Sequence, residues 1–259
     1  MNMIKRALFV AMALALSTSA EAEVFEVIHP EIEKDGFEIE LLNGVTLSNV
    51  AAGGEQSVHE LAFSYAPFDW WKPTIALEIA NPTGGNAEVE AFEFENVFAL
   101  PFGGEHNHAH GQGGEDGETH VGVSGFFGME LPNQAGLNAA EVSFGPILEV
   151  EHGDLLGIGN LFLTVPFADG EDPGLAYAVQ VAYRAGNWGR VGLEAHGAVE
   201  QAFGNAAAFD QQEHFIGPAV YFALDLGHGR ILEPRVALLA GYTDAAADAV
   251  LSVNIEFKF

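Results

Sequence analysis

The sequence predicts an all-β fold: a transmembrane antiparallel up-and-down β-barrel of about twelve strands, with ten and fourteen as the neighbouring counts. Three observations predict it. Segments of about 10 to 15 residues alternate apolar and polar side chains, long enough to cross a bilayer at a tilt. The chain opens with an export signal and contains no cysteine, so no disulfide supports the fold. It is 49% hydrophobic yet carries 37 acidic against 9 basic residues, so one face of the alternation is apolar and the other is acidic.

Residues 1–22 read as a secretory signal peptide. Lys5 and Arg6 form its positive start, Ala7 to Leu16 its apolar core, and Ala20-Glu21-Ala22 its cleavage site. A core of about ten residues is too short for a spanning helix, which needs roughly 20. Residues 23–35 are expected to form a short periplasmic segment and residues 36–259 the barrel. Without Lys5, Arg6 and Glu21, seven basic and 36 acidic residues leave a net charge of −29. Such a chain repels phosphates, which excludes nucleic acid as a partner. Charge this high with few apolar residues would mean disorder, but 20 phenylalanines argue for a packed fold.

The last strand is the clearest. Leu251, Val253, Ile255, Phe257 and Phe259 alternate with Ser252, Asn254, Glu256 and Lys258. Ending on Phe259, this strand resembles the assembly signal of Gram-negative outer-membrane barrels. That resemblance implies the barrel-assembly machinery and outer-membrane lipid as partners. The alternation recurs in "TIALEIA", "LAYAVQVAYR" and "RVGLEAHGAVE". The strands begin near residues 36, 55, 72, 86, 118, 139, 158, 174, 189, 212, 229 and 248. In "EVEAFEFEN" the acidic residues change phase between Glu90 and Glu93, and a β-bulge near Ala91 would restore the faces. A soluble β-sandwich or secreted jelly roll is the competing fold.

An even count puts both ends of the mature chain in the periplasm. Two further features fit that orientation. Trp70, Trp71 and Trp188 fall in the predicted periplasmic connections, where an interfacial girdle belongs. The seven mature basic residues, Lys34, Lys72, Arg184, Arg190, Arg230, Arg235 and Lys258, are expected at the same end.

The polar face would line the lumen with Glu38, Glu40, Glu60, Glu78, Glu88, Glu90, Glu93, Glu95, Glu141, Glu149, Glu151, Glu194 and Glu200. Small residues such as Ala62, Ser64, Ser124 and Ala178 lie between them. Carboxylates in a dry interior are costly, so the lumen is expected to be wet, protonated in part or occupied by cations. Twelve strands fall between side-chain-filled eight-stranded barrels and open sixteen-stranded pores. The expected function is passive conduction of small solutes or cations. The alternative is a non-conducting structural or envelope-interaction barrel. No catalytic residues are expected: Ser57 and His59 form the one candidate nucleophile–base pair, and no third group can be assigned to them.

The stretch from Val58 to Leu100, with its turn "YAPFDWW" and later "FEFEN", resembles a class of uncharacterised proteobacterial outer-membrane barrels. That class is loosely similar to barrel proteins encoded with meta-cleavage phenol-degradation pathways, often labelled transporters. The resemblance implies the barrel fold, the outer membrane and a transport role. Ala66 stands where that turn usually has Gly.

Between the fourth and fifth strands lies an insertion, residues 103–120, with four of the chain's ten histidines. His106, His108, His110 and His120 with Glu118 offer imidazole and carboxylate ligands suited to Zn²⁺, Ni²⁺ or Cu²⁺. No cofactor is required by the barrel itself. Parity places this insertion on the periplasmic side.

Overall fold

Alternation with period two leaves a strand with two unlike faces, and closing the sheet into a ring lets each face meet its own solvent. The computed structural model describes residues 25–47, 55–101, 119–133, 140–168, 170–204 and 206–259. Its strands are β1 (Phe37–Thr46), β2 (Glu55–Tyr65), β3 (Trp71–Pro82), β4 (Glu88–Ala99), β5 (Thr119–Pro132) and β6 (Glu141–His152). They continue as β7 (Leu155–Pro166), β8 (Gly174–Arg184), β9 (Gly189–Val199), β10 (His214–Phe222), β11 (Leu224–Gly227), β12 (Arg230–Gly241) and β13 (Ala249–Lys258).

Each strand pairs antiparallel with its neighbours in the ring, and β1 against β13 joins the two ends of the wall. β10 and β11 make one wall position interrupted at Ala223. The pairs Tyr221↔Arg235 and Leu224↔Leu232 keep one register against β12. The wall is therefore a closed barrel of twelve positions, and each predicted start falls within three residues of an observed one.

The phase break in β4 is a bulge. Pairing with β3 passes from Glu78↔Ala91 to Ile79↔Val89, leaving Glu90 as the extra residue. Ala91 faces inward, fully buried, and the faces realign on both sides of it. The opposite, outer face leaves Ile75 60% and Leu193 56% exposed, with Phe92 and Leu161 like them. An apolar band of this kind is what lipid covers in a membrane barrel.

The end of the ring that carries Phe37 and Lys258 is called here the near end. Its turns are tight: Gly153 and Asp154 alone link β6 to β7, and His228 and Gly229 link β11 to β12. His228 and Gly229 both have positive φ, at 60° and 75°. Two-residue hairpins take that conformation because it matches the right-handed strand twist.

The sequence suggested a short periplasmic segment over residues 23–35, but residues 25–32 pack against the inner face of the wall. They lie inside the ring. Phe25 packs with Phe215, Leu239 and Val250, Val27 with Leu156, Ile158 and Ala178, and Ile28 and Ile32 with Val97, Phe126 and Ile147. A stretch of eight residues that touches strands on opposite sides of the wall can only be within it. The reason is apolar burial: the wall offers inward Phe, Ile and Leu patches that a free segment would leave in water.

Candidate functional site

The lumenal segment is held through its backbone as well as its side chains. Phe25 sets its ring edge-on to Phe215, 4.9 Å between centroids, and to His196 at 5.1 Å. The Phe25 carbonyl accepts from Arg235 Nη1 at 3.0 Å and from Asn254 Nδ2 at 2.9 Å. The Ile28 N–H donates to Asn160 Oδ1 at 2.8 Å, and Asn160 Nδ2 donates back to the Ile28 carbonyl at 2.9 Å. Ser124 Oγ donates to the Pro30 carbonyl at 2.9 Å. At the near end the Asp35 N–H reaches the Ala66 carbonyl and joins the segment to the wall. Extended backbone inside a barrel must find such partners, because each unpaired buried group costs about 1–3 kcal/mol.

The wall facing the segment is acidic, and its charge is compensated unevenly. Around the near end several of the carboxylates meet cations. Lys72 Nζ lies 2.7 Å from Glu38, and Lys258 Nζ lies 2.7 Å from Glu233 and 3.2 Å from Glu256. Arg190 and Arg184 both reach Glu151. Deeper in, Arg235 pairs with the fully buried Glu194, which also accepts from Tyr221 Oη at 2.6 Å and lies 3.0 Å from His196 Nε2.

A second group is made of carboxylates brought close together across adjacent strands. Glu60, Glu78 and Glu93 offer carboxylate oxygens all within 4.8 Å of one another. Glu60 faces Glu78 across β2 and β3, Glu93 faces Glu130 across β4 and β5, and Glu130 faces Glu141 across β5 and β6. An acidic stripe thus climbs the wall. Two bare charges 4.8 Å apart repel by about 3 kcal/mol at an effective dielectric of about 20, so the stripe cannot stand fully ionised and bare.

The wall shifts two groups of the lumenal segment. Burial, and then the Glu95 carboxylate, push the Glu26 carboxyl up to about 8, with Lys72 pulling the other way. Burial alone would lower the His29 imidazole, but Glu149, 3.5 Å from its Nδ1, more than offsets that and leaves it raised.

The strand register puts Glu38, Glu40, Glu60, Glu78, Glu93, Glu95, Glu141, Glu149, Glu151 and Glu194 on the inner face. Glu88 is exposed at the first position of β4, and Glu90 is the bulge. Glu200 lies one residue beyond β9 and not on a strand. Arg235 departs from the expected clustering of basic residues: it is the sixth residue of β12, in the middle of the wall, because it must reach Glu194.

His106, His108, His110 and Glu118 lie outside the described residues. His120 stands in β5 opposite Glu151, near the same end as Thr119 and His152. Trp70, Trp71 and Trp188 all lie at the near end. Phe68 stacks on Trp70 at 5.4 Å, Trp71 Nε1 donates to Asn96 Oδ1 at 2.9 Å, and Trp188 tilts against Phe222. His59 Nδ1 is 2.8 Å from Asn43 Oδ1, and among the described residues no hydrogen bond joins it to Ser57.

Sequence reasoning missed Glu26, Asn160, Glu130 and Glu256 as parts of the site. Parity alone could have found Glu130 and Glu256, which continue the inward sets of β5 and β13. Nothing local marks Asn160, whose partner is 132 residues away.

No protein-family model matches the chain, and no curated protein matches it by sequence. Among solved structures it is similar to an outer-membrane channel from Pseudomonas putida F1, at 12% identity and a TM-score of 0.56, covering 90% of this chain and 98% of that one. It is also similar to the NanC porin, at 9% identity and a TM-score of 0.53, covering 85% of this chain and 98% of that one. The KdgM porin matches at 9% identity and a TM-score of 0.50, covering 86% and 99%. At these identities the likeness is one of fold. The fold is that of outer-membrane β-barrels.

Proposed function

We propose that the protein is an outer-membrane barrel that passes small solutes or cations through an acid-lined lumen. The observation that carries the reading is the inner face: ionisable side chains line a ring whose outer face is apolar, and such a lining needs water or counter-ions. The barrels it resembles are named porins and a channel, which supports the same reading. Acidic walls favour cations over anions. In this reading the near end is periplasmic, the tryptophans Trp70, Trp71 and Trp188 mark its interface, and lipid and the assembly machinery are the partners. The His-rich insertion then hangs in the periplasm, where His106, His108, His110, His120 and Glu118 bind Zn²⁺, Ni²⁺ or Cu²⁺ and modulate conduction.

A second reading is favoured by one observation. Residues 25–32 sit within the lumen, fastened at Phe25, Ile28 and Pro30. With the segment seated, the barrel would be closed and structural.

Single-channel recording of the refolded mature protein in a planar bilayer under a salt gradient separates the two. Cation-selective steps support conduction, and a Zn²⁺ response lost on deleting residues 104–118 joins the insertion to it. Steps seen only after residues 24–33 are deleted would mean a barrel that is closed as folded. Silence in both forms sinks the channel reading.

A further inference from the structure

Four polar residues interrupt the apolar outer face on β1 to β3. Asn43 pairs with His59 across β1 and β2, and Ser57 with Asn81 across β2 and β3, so each pair shares a face. Ser57 and His59 are two apart on one strand and share it too. That face is the outer one: Leu41, two residues before Asn43, and Leu61, two after His59, are 40% and 36% exposed. An ionisable side chain turned toward lipid is costly, and with a named partner it marks a working site.

His59 is held in one orientation and one tautomer. Asn43 Nδ2 donates to the Val253 carbonyl at 2.8 Å, so Asn43 Oδ1 is the atom turned to the imidazole. That oxygen can only accept, so His59 Nδ1, 2.8 Å away, carries the proton. The lone pair of the neutral ring is then on Nε2, which no hydrogen bond reaches among the described residues. An imidazole steered through Nδ1 and open at Nε2 is built as a general base. Asn43 is thus the third group that spacing alone could not assign to Ser57 and His59.

Ser57 is the hydroxyl that this base can serve. It stands roughly 7 Å along the strand from His59, a gap that the two side chains span. Catalytic hydrogen bonds are often loose without substrate and tighten in the complex. Asn81 sets a carboxamide across from Ser57 on the side away from Asn43, where an oxyanion needs a donor. Ser57 is the third residue of β2 from the far end, so the site lies toward the edge of the wall, within reach of water.

We propose that Ser57, His59 and Asn43 form a lipid-facing site that hydrolyses acyl esters of the surrounding lipid. Ser57 Oγ attacks the ester carbonyl carbon and gives its proton to His59 Nε2. The bond from that carbon to the alcohol oxygen breaks, and His59 returns the proton to the leaving alkoxide. A water molecule, giving its proton to His59, then attacks the acyl-serine. Ser57 Oγ leaves, recovers the proton and releases the fatty acid. Asn81 donates to the carbonyl oxygen as it turns negative, and Asn43 is a positioning residue acting through His59. The site is outside the ring, so it stands or falls apart from conduction through the lumen.

The test is fatty-acid release by the refolded mature protein in mixed micelles of zwitterionic detergent and diacyl phospholipid, with rates expressed per chain folded by heat-modifiable migration. Release is expected from the diacyl lipid and not from its dialkyl ether analogue. Ser57→Ala and His59→Ala should each lower it about a hundredfold or more. Asn43→Ala should lower kcat roughly tenfold with KM unchanged, the mark of a group needed in the transition state. Leu193→Ala, on the outer face of β9, should leave release unchanged. A fluorophosphonate should form one adduct, mapped to Ser57 by mass spectrometry, and form it more slowly in Asn43→Ala. Release that survives Ser57→Ala overturns the proposal, as does a wild-type chain with neither release nor an adduct at Ser57. Should Ser57→Ala fail to fold, the adduct on the wild-type chain decides: its absence from Ser57 overturns the site.

Discussion

The Asn160 carboxamide pairs with both backbone groups of Ile28, taking the N–H at 2.8 Å and donating to the carbonyl at 2.9 Å. It copies with one side chain what a neighbouring strand would supply with its backbone. Asn160→Ala removes both bonds in a lumen where the partners are buried, at a cost of about 1–3 kcal/mol. The loss should fall on the seating of the segment and not on the wall. Because the chain has no cysteine, Val27→Cys gives a unique reporter. Its labelling by a small thiol reagent should be at least several-fold faster in the Asn160→Ala background, with heat-modifiable migration unchanged. Equal rates would mean that Asn160 does not hold the segment.

Arg235 ties three parts of the lumen together: Glu194 on β9, Ser252 on β13 and the Phe25 carbonyl. Glu194 is fully buried, so removing its cation strands a charge. Arg235→Met should lower barrel stability by about 3–5 kcal/mol, the range for breaking a buried pair from one side. The double variant Arg235→Met with Glu194→Gln should recover a large part of that, because no bare charge is left. Urea unfolding followed by tryptophan fluorescence reads both. A double variant no more stable than Arg235→Met would show that Arg235 acts through packing.

The wall was legible because its signal is local. In β13 each residue's face follows from its position alone, since one side meets lipid and the other the lumen. Even the bulge at Glu90 showed as a phase change within one strand. The lumenal segment was not legible, because "FEVIHPEIE" is short, extended and equally suited to water. Its place is decided by partners such as Asn160, Ser124 and Arg235, which lie 94 to 210 residues away. The acidic lining was readable as a set, but not its division into two triads, one of them met by lysines. That division depends on where two lysines stop: Lys72 and Lys258 both end on the near-end triad.

The tryptophans offer a depth gauge. Trp70 and Trp188 are each about half exposed at the near end, whereas the Trp71 indole N–H is engaged by Asn96. Interfacial rings sit at headgroup level. Lipids brominated near the headgroup should therefore quench the fluorescence more than lipids brominated at the chain ends. Trp70→Phe and Trp188→Phe should each reduce the quenched fraction, and Trp71→Phe should reduce it least. Stronger quenching from the bilayer centre would contradict the girdle.

Seating of the lumenal segment should weaken as pH rises. The Glu26 carboxyl is pushed up to about 8 by burial and by Glu95, against an ordinary value of 4.5. The seated segment therefore binds that proton more tightly than the released one does. Below the ordinary value both forms are protonated, and the contribution is fully present. It is withdrawn as pH climbs from 4.5 through about 8, where Glu26 ionises among Glu95, Glu256 and Glu93 with Lys72 and Arg235 in favour. His29 works in the same direction: its raised imidazole keeps its proton beside Glu149, and that contribution goes as pH passes its raised value. In Ca²⁺-free buffer, Val27→Cys should be labelled at least tenfold faster at pH 9 than at pH 5, after correction to the rate of the unfolded chain at each pH. Glu26→Gln carries no titrating carboxyl, so its profile should be markedly flatter. A steep profile that survives Glu26→Gln would assign the dependence to His29 or to the wall.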